Sequence, residues 1–442
     1  MATATTTDNE LRMERTKSTE AGFAEADEKP VPKVDKTDYS GAHEKTDPRE
    51  IALVKKLDRW IMPMLWSMYW LNYLDRNAIA LARINTLEED LNLKGSEYQT
   101  CVSILFVGYI LGQVPSNMFL TRTRPSRYMV IPTLKEVATR IAILYTGNIL
   151  ATAFAGLIAA GIFHGMDGSA GLAGWQWLFI LQGAVTFVVA VVGYFVLPDT
   201  PLTTRWLTQP ERDLAYNRIE LDTTENTGET STMAGLKQAG KDPLVWIFAF
   251  MAHMHLAANG FKNFFPTVVQ TLGFSRTITL VLTCPPYLIA GASTILVSWL
   301  SGRFNERTWH ITASKAVAIV GFVAAGATLN TAGRYVAMVI FTIGTYAVNS
   351  LILGWCSSVC GQTKEKKAVA ISIVTMVMNV SFIWTPYLYP KSDEPRYLIA
   401  MLSSAAFSAV TAATAWLAKF ILVRKNRRMR QSEDETGVYY VY

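Results

Sequence analysis

Ten apolar stretches, each about 20 residues long, take up most of the chain after its first fifty residues. They lie near 60–81, 98–120, 141–163, 175–197, 244–270, 278–301, 311–329, 333–357, 367–389 and 397–422. A stretch of that length spans a hydrocarbon core, where water cannot satisfy backbone N–H and C=O groups, so each must form a helix. Half of the 442 residues are hydrophobic and only 17% are charged, which excludes an ordinary soluble domain. The four cysteines, Cys101, Cys284, Cys356 and Cys360, sit in or beside apolar runs with neither disulfide-framework nor zinc spacing. Cys356 and Cys360, one helical turn apart, are expected simply to pack. The predicted fold class is all-α transmembrane, with no metal and no cofactor.

Lys and Arg resist translocation, so their distribution orients the spans. Loops on the side of the N-terminal tail, with their flanks, hold 25 basic residues, against six opposite: Arg83, Lys94, Arg276, Arg334, Lys391 and Arg396. Both termini and the long central loop are therefore expected in the cytosol, and the net charge of +6 reflects this bias rather than nucleic-acid binding. The expected organisation is a disordered tail at 1–56 without a cleavable signal peptide and a four-span bundle at 57–197. A cytosolic loop at 198–243, a six-span bundle at 244–423 and a cytosolic tail at 424–442 follow. Two bundles suit a carrier in which halves move about a site near the midplane. They are unequal: 60–197 has 138 residues and 244–422 has 179, a difference close to two spans and a turn.

Ionised groups are expensive in hydrocarbon, so intramembrane ionisable residues are functional candidates. Away from span ends these are Asp75, Arg76, His253, His255, Lys262 and Lys315. Asp75 is the only carboxylate inside a span, and hence the one acidic group able to take up and release a proton there. It lies about 22 Å along its helix from Trp60. Helix neighbours point about 100° apart, so Asp75 and Arg76 need separate partners, and the guanidinium fork is left to meet an anion. Alternatively, both residues only tie their helix to its neighbours. His253 and His255 can supply a proton relay or bridge helices while neutral. Lys262 and Lys315 are expected to snorkel toward the nearer surface. Asn72, Gln113, Asn117, Asn148, Asn259, Asn349 and Asn379 can face a cavity or hydrogen-bond between helices. Gly108-x-x-x-Gly112 and the small residues from 151 to 161 should admit close helix approach, and Pro285-Pro286 should break or kink the sixth span. The sequence contains no nucleophile–base pair, zinc spacing or phosphate loop, so an enzyme reading finds no support.

The chain resembles the fungal anion:cation symporters of the major facilitator superfamily, the group containing allantoate and nicotinic acid permeases. The resemblance covers about 57–430. It rests on Tyr73-Leu74-Asp75-Arg76-Asn77, Gly112-Gln113-Val114-Pro115-Ser116-Asn117, Arg124-Pro125-Ser126-Arg127 and Leu197-Pro198-Asp199-Thr200-Pro201. It continues through Thr204-Arg205-Trp206-Leu207, Leu282-Thr283-Cys284-Pro285-Pro286-Tyr287 and Thr385-Pro386-Tyr387-Leu388-Tyr389-Pro390. It implies twelve spans, a plasma-membrane location and proton-coupled uptake of a small organic anion such as a carboxylate, vitamin or ureide. Proton coupling would fall on Asp75 and anion binding on Arg76, with Asn72, His253, His255, Asn259, Asn349 and Asn379 as further substrate contacts. Arg124, Arg127, Arg303 and Arg307 would serve the cytosolic gating loops. The expected partners are the anion, protons and the lipid bilayer, with the chain acting as a monomer.

This sequence departs from the pattern where residues 128–134 join two cytosolic loops directly, so the family's third and fourth spans are expected to be missing. The even number preserves topology but removes a second acidic residue used in coupling. Gly302 also stands where an aspartate is common. The rival expectation is a non-transporting, truncated or alternatively spliced transporter-like protein, or a membrane sensor.

Overall fold

A computed structural model of the chain describes residues 48–122, 134–197, 204, 206–224, 232–361, 364–431 and 440. These residues form helices and no strand, as a chain without water around its backbone must. The helices are α1 (Pro48–Ala82), α2 (Leu87–Asp90), α3 (Glu97–Arg122), α4 (Leu134–Met166), α5 (Gly174–Val196), α6 (Gln209–Thr224), α7 (Thr232–Lys241) and α8 (Pro243–Ala258). They continue with α9 (Phe265–Gln270), α10 (Arg276–Leu282), α11 (Cys284–Phe304), α12 (Thr308–Ala327), α13 (Thr331–Tyr346), α14 (Val348–Val359), α15 (Lys364–Trp384) and α16 (Leu398–Gln431). Among the described residues eight helical segments, all from residue 143 onward, are long and apolar enough to cross a membrane. The first two apolar runs lie in α1 and α3, and α1 is the more polar because Asn72, Asp75, Arg76 and Asn77 interrupt its span.

Several runs that read as continuous are broken. The fifth becomes α8, a 3₁₀ turn over Asn259–Asn263, and α9. Asn259 ends α8 by donating its backbone N–H to the carbonyls of His255, Leu256 and Ala257. Pro285 and Pro286 break the sixth run as expected, standing in the first turn of α11, where a missing N–H is harmless. The eighth run divides at Ala347 into α13 and α14, without a proline to announce it.

The central segment is more structured than a loop. Leu53 and Leu57 of α1 pack with Leu207 and Ala215. There the Lys56 ammonium lies 2.7 Å from the Glu211 carboxylate. Asp242 caps α8 by accepting from the Leu244 N–H at 2.9 Å, and Lys366 donates to its other oxygen at 2.6 Å. Burial works against ionisation of Asp242, but these two bonds outweigh it and hold the carboxyl below the ordinary carboxylate range.

The main core belongs to the six-span part. Phe248, Phe261, Phe264, Phe265, Phe322 and Phe341 interlock there, and both Cys356 and Cys360 are fully buried in it. A smaller core around Leu71, Leu74, Ala78, Ala155, Ala159 and Leu178 joins α1, α4 and α5. The small-residue run of α4 does give close approach, since Gly156 lies against Leu280 and Thr283. Gly108-x-x-x-Gly112 does not, because nothing described comes within 4 Å of a side chain placed at either glycine. The physical reason is that α3 leans on α15, with Phe106 and Phe382 ring centroids 4.6 Å apart, and meets α1 through Tyr98, which donates to the Ile79 carbonyl at 3.4 Å, and through Tyr109, which faces Arg76. Glu88 binds both Arg83, at 2.8 Å, and Lys391. Gln99 donates to the Tyr389 carbonyl at 3.1 Å, so the first four long helices are tied to the remaining six.

Candidate functional site

The polar cluster of α1 places Tyr73, Arg76 and Asn77 on adjoining faces of one helix. All three line a cavity of about 100 Å³ between the two halves. Phe106 of α3 and Tyr145, Asn148 and Thr152 of α4 complete the wall on that side. From the other half come Asn259, Lys262 and Asn263 of the turn after α8, then Tyr346, Asn349, Met378, Asn379 and Phe382. Among the described residues the lining holds two cations and no carboxylate.

Both cations rest on aromatic faces. The Arg76 guanidinium lies 4.2 Å from the Tyr109 ring centroid and 5.4 Å from that of Tyr73. The Lys262 ammonium lies 4.3 Å above Phe382. Such contacts contribute about 0.5–2 kcal/mol each and leave the N–H donors unused. Tyr145 accepts a hydrogen bond from Asn349 at 2.8 Å, joining α4 to α14 across the site. Asn77 donates to Thr152 at 3.4 Å, and Asn379 donates to the Thr375 carbonyl at 2.7 Å. Asn259, only 6% exposed, donates toward His255 Nε2 at 3.2 Å and leaves its buried Oδ1 without a partner. The cavity thus offers cationic and amide donors and one idle amide acceptor, a set suited to an anion that carries polar groups.

The sequence candidates separate in space. Arg76, Asn259, Asn349 and Asn379 line the cavity, whereas Asn72 is exposed on the neighbouring face of α1. His255 lies fully buried behind Asn259, outside the lining. His253 is also outside it, with Nδ1 2.8 Å from the Val377 carbonyl, and since a carbonyl can only accept, Nδ1 carries the proton. Asp75 turns away from Arg76 toward α5, where it accepts from Thr186 at 3.1 Å while its other, buried oxygen has no partner. Arg303 is exposed and stands 5.5 Å from the Trp299 ring, and Arg307 donates to Ser301 at 2.9 Å at the C-terminal end of α11. Arg124 and Arg127 lie outside the described residues.

Two lysines depart from expectation. Lys262 does not snorkel outward, because the 3₁₀ turn ends α8 early and swings this side chain over Phe382 into the cavity. Lys315 is fully buried among the helices of the six-span part, with no hydrogen-bond partner for its ammonium nitrogen. Sequence reasoning also passed over Tyr73, Tyr145 and Tyr346 as cavity residues. The spacing of Asn259, Lys262 and Asn263 held a signal, since three polar residues within five positions of an apolar run need a common polar space.

Residues 129–386 match the model of the Major Facilitator Superfamily. The chain is 28% identical to the major facilitator-type transporter hxnP of Emericella nidulans, over 86% of this chain and 88% of that one. It is 23% identical to the pantothenate transporter liz1 of Schizosaccharomyces pombe, over 87% and 85% of the two chains. Among solved structures it is similar to a bacterial homologue of the human lysosomal transporter Spinster, with a TM-score of 0.63 and 15% identity, covering 86% of this chain and 99% of that one. A D-xylose–proton symporter aligns with a TM-score of 0.59 and 13% identity, covering 81% and 97%.

Proposed function

The chain belongs to the Major Facilitator Superfamily, a multi-pass membrane protein of the secondary-transporter type, and we propose that it moves a small organic anion with protons by alternating access. The observation that carries this reading is the lining of the cavity, where Arg76 and Lys262 from opposite halves share one space with no carboxylate among the described residues. Two cations so placed repel in a low-dielectric setting, and an anion between them removes that repulsion and draws the halves together. Arg76 holds the anion through its fork, Lys262 supplies a second charge, and Asn259, Asn349 and Asn379 meet the uncharged polar groups. Asp75 carries the proton from beside the cavity, so coupling passes through the α1–α5 contact rather than through an Asp75–Arg76 pair. The finer assignment is to the anion:cation symporters, acting as a monomer in the plasma membrane with a four-span and a six-span bundle.

The missing third and fourth spans belong to the same proposal. The comparison with hxnP runs over 441 positions yet takes in 86% of this chain, so about 60 residues of the relative lack a counterpart, the length of two spans with a connection. The open glycine face of α3 favours the rival reading, a transporter-like protein that binds without moving solute.

Uptake into proteoliposomes separates the two. Pantothenate, a carboxylate named for one relative, is a first probe beside a panel of small organic acids. An inward pH gradient should drive accumulation in the original protein and none in Asp75→Asn. Saturable binding without accumulation of any acid in the panel would support the rival.

A further inference from the structure

α5 buries one stripe, Gly174, Leu178, Gln182 and Gly193, and exposes apolar side chains such as Phe187 and Phe195 elsewhere. The ends of the stripe fix its register on α1. The Trp175 N–H donates to Asn85 Oδ1 at 3.3 Å, and Gly193 lies against Met64 and Met68. The two helices are therefore antiparallel, and because they rise equally per residue, Asp75 stands level with residues 184–186, between Gln182 and Thr186. Thr186 donates to Asp75 Oδ2 at 3.1 Å.

Gln182 is the one long polar side chain of the stripe and is only 5% exposed. Its Nε2 and Oε1 are both buried without a hydrogen-bond partner, and so is Asp75 Oδ1. The other unpartnered polar atoms of α1, on Arg83 and Asn85, stand about 9 Å or more further along the axis. Around this level the seam is apolar, built from Leu71, Leu74, Ala78, Ala155, Ala159 and Leu178. No other charge enters it among the described residues. α5 has no charged residue from Gly174 to Val196, and its one tyrosine, Tyr194, is exposed. The described side chains of α4 bring Tyr145, bonded to Asn349 at the cavity, and His164, exposed near the end of that helix. On α1 itself Arg76 is turned onto Tyr109, and Tyr69 bonds Tyr73. α6 reaches α1 where Glu211 pairs with Lys56, about 28 Å along the helix from Asp75, and α9 carries no charge.

A carboxyl that takes up and releases a proton in an apolar seam needs a partner that suits both of its states, because a buried polar group left unbonded is costly. A primary amide is such a partner, since it carries a donor and an acceptor on one flexible stem. We propose that Gln182 is the positioning residue for the Asp75 proton. Its Nε2–H donates to Oδ1 when Asp75 is ionised, and the amide turns over so that Oε1 accepts from Oδ1–H when Asp75 holds the proton. On uptake an O–H bond forms at Oδ1 and the Nε2 hydrogen bond to it breaks. On release the O–H bond breaks, the proton leaves to water on the open side and the Nε2 hydrogen bond re-forms. This inference rests on the proton-carrying reading of Asp75 and adds the group that holds Asp75 in both states.

Infrared difference spectra of the full chain in phosphatidylcholine vesicles, recorded through a pH titration, read the carboxylic C=O band of protonated Asp75. The original protein should show a band that Asp75→Asn removes. Gln182→Met keeps the length of the side chain without either polar atom. It should raise the frequency of that band and displace its titration midpoint by about half a unit to one unit, the size of one lost hydrogen bond. Thr186→Val, which removes the bond to Oδ2, should also raise the band and gives the scale for comparison. Phe187→Leu, on the exposed side of α5, should change neither. A band and midpoint left in place by Gln182→Met would overturn the role of Gln182 and leave that of Asp75 standing. A spectrum that Asp75→Asn leaves unchanged would overturn the proton reading of Asp75 itself.

Discussion

The two halves of the molecule bury their small residues to different ends. In the six-span part, Gly321 lies against the backbone of Phe341 and Gly344 against that of Ser314 and Ala318, so α12 and α13 pack without a gap. In the preceding part, Gly156 of α4 lies as tightly against Leu280 and Thr283, whereas no described residue comes within 4 Å of a side chain placed at Gly108 or Gly112, and α3 takes its packing from α15 across the interface. The same residue type is therefore closely packed in α4, α12 and α13, and has no described neighbour in α3.

Function gives the largest test of that contrast. Arg76→Gln, in the half that holds α3, should lower organic-anion uptake by proteoliposomes by about a hundredfold or more, consistent with loss of a charge-assisted bidentate bond. Lys262→Gln, in the six-span part, should cost about tenfold, because its single ammonium is shared with the Phe382 face. Equal losses would mean that the halves contribute alike to binding. Asp75→Asn should remove accumulation driven by a pH gradient while sparing counterflow of preloaded anion; loss of both would place Asp75 in substrate binding rather than coupling.

Packing comes next in size. Gly344→Val should destabilise the detergent-solubilised protein by about 1–3 kcal/mol, since the added methyls meet backbone with no room to move. Gly108→Val should shift it by no more than about 0.5 kcal/mol in the same thermal unfolding assay. Comparable shifts in the two variants would show that an undescribed segment covers α3.

The smallest effect is one of pH, at the N-terminus of α8. Asp242 is held below the ordinary carboxylate range, so the stability it lends is present above about pH 4 and is lost as pH falls through the depressed value. The thermal midpoint should stay flat from pH 7 to pH 5 and fall below about pH 4, and Asp242→Asn should flatten that fall. A slope unchanged by the substitution would assign it to other carboxylates.

Much of this architecture was legible in the chain because the bilayer imposes a single requirement on every span. Run length alone located the helical segments, and Pro285-Pro286 marked a break that the structure contains. The break at Ala347 and the turn at Asn259–Asn263 were not legible, because no local residue demands them and neighbouring helices decide where these spans bend. Part of the site was visible for the same electrostatic reason that made Arg76 conspicuous in hydrocarbon. Lys262 was misread, since depth along a straight helix predicts a snorkelling lysine and only a bend turns it inward. His253 and Asn72 looked equally suitable as cavity residues, yet His253 binds the Val377 carbonyl and Asn72, one turn before Arg76, is exposed outside the lining.

The sequence by itself determined that the chain crosses a membrane as helices and which residues are too polar to lie in lipid without a purpose. Both follow from the desolvation of backbone and charge, which depends on composition along the chain and hardly on neighbours. Only the tertiary structure decided that Arg76 shares its cavity with Lys262 rather than with Asp75, and that no described residue packs against the glycines of α3. Those outcomes depend on how helices rotate and pack against one another, a collective fit that no single segment encodes.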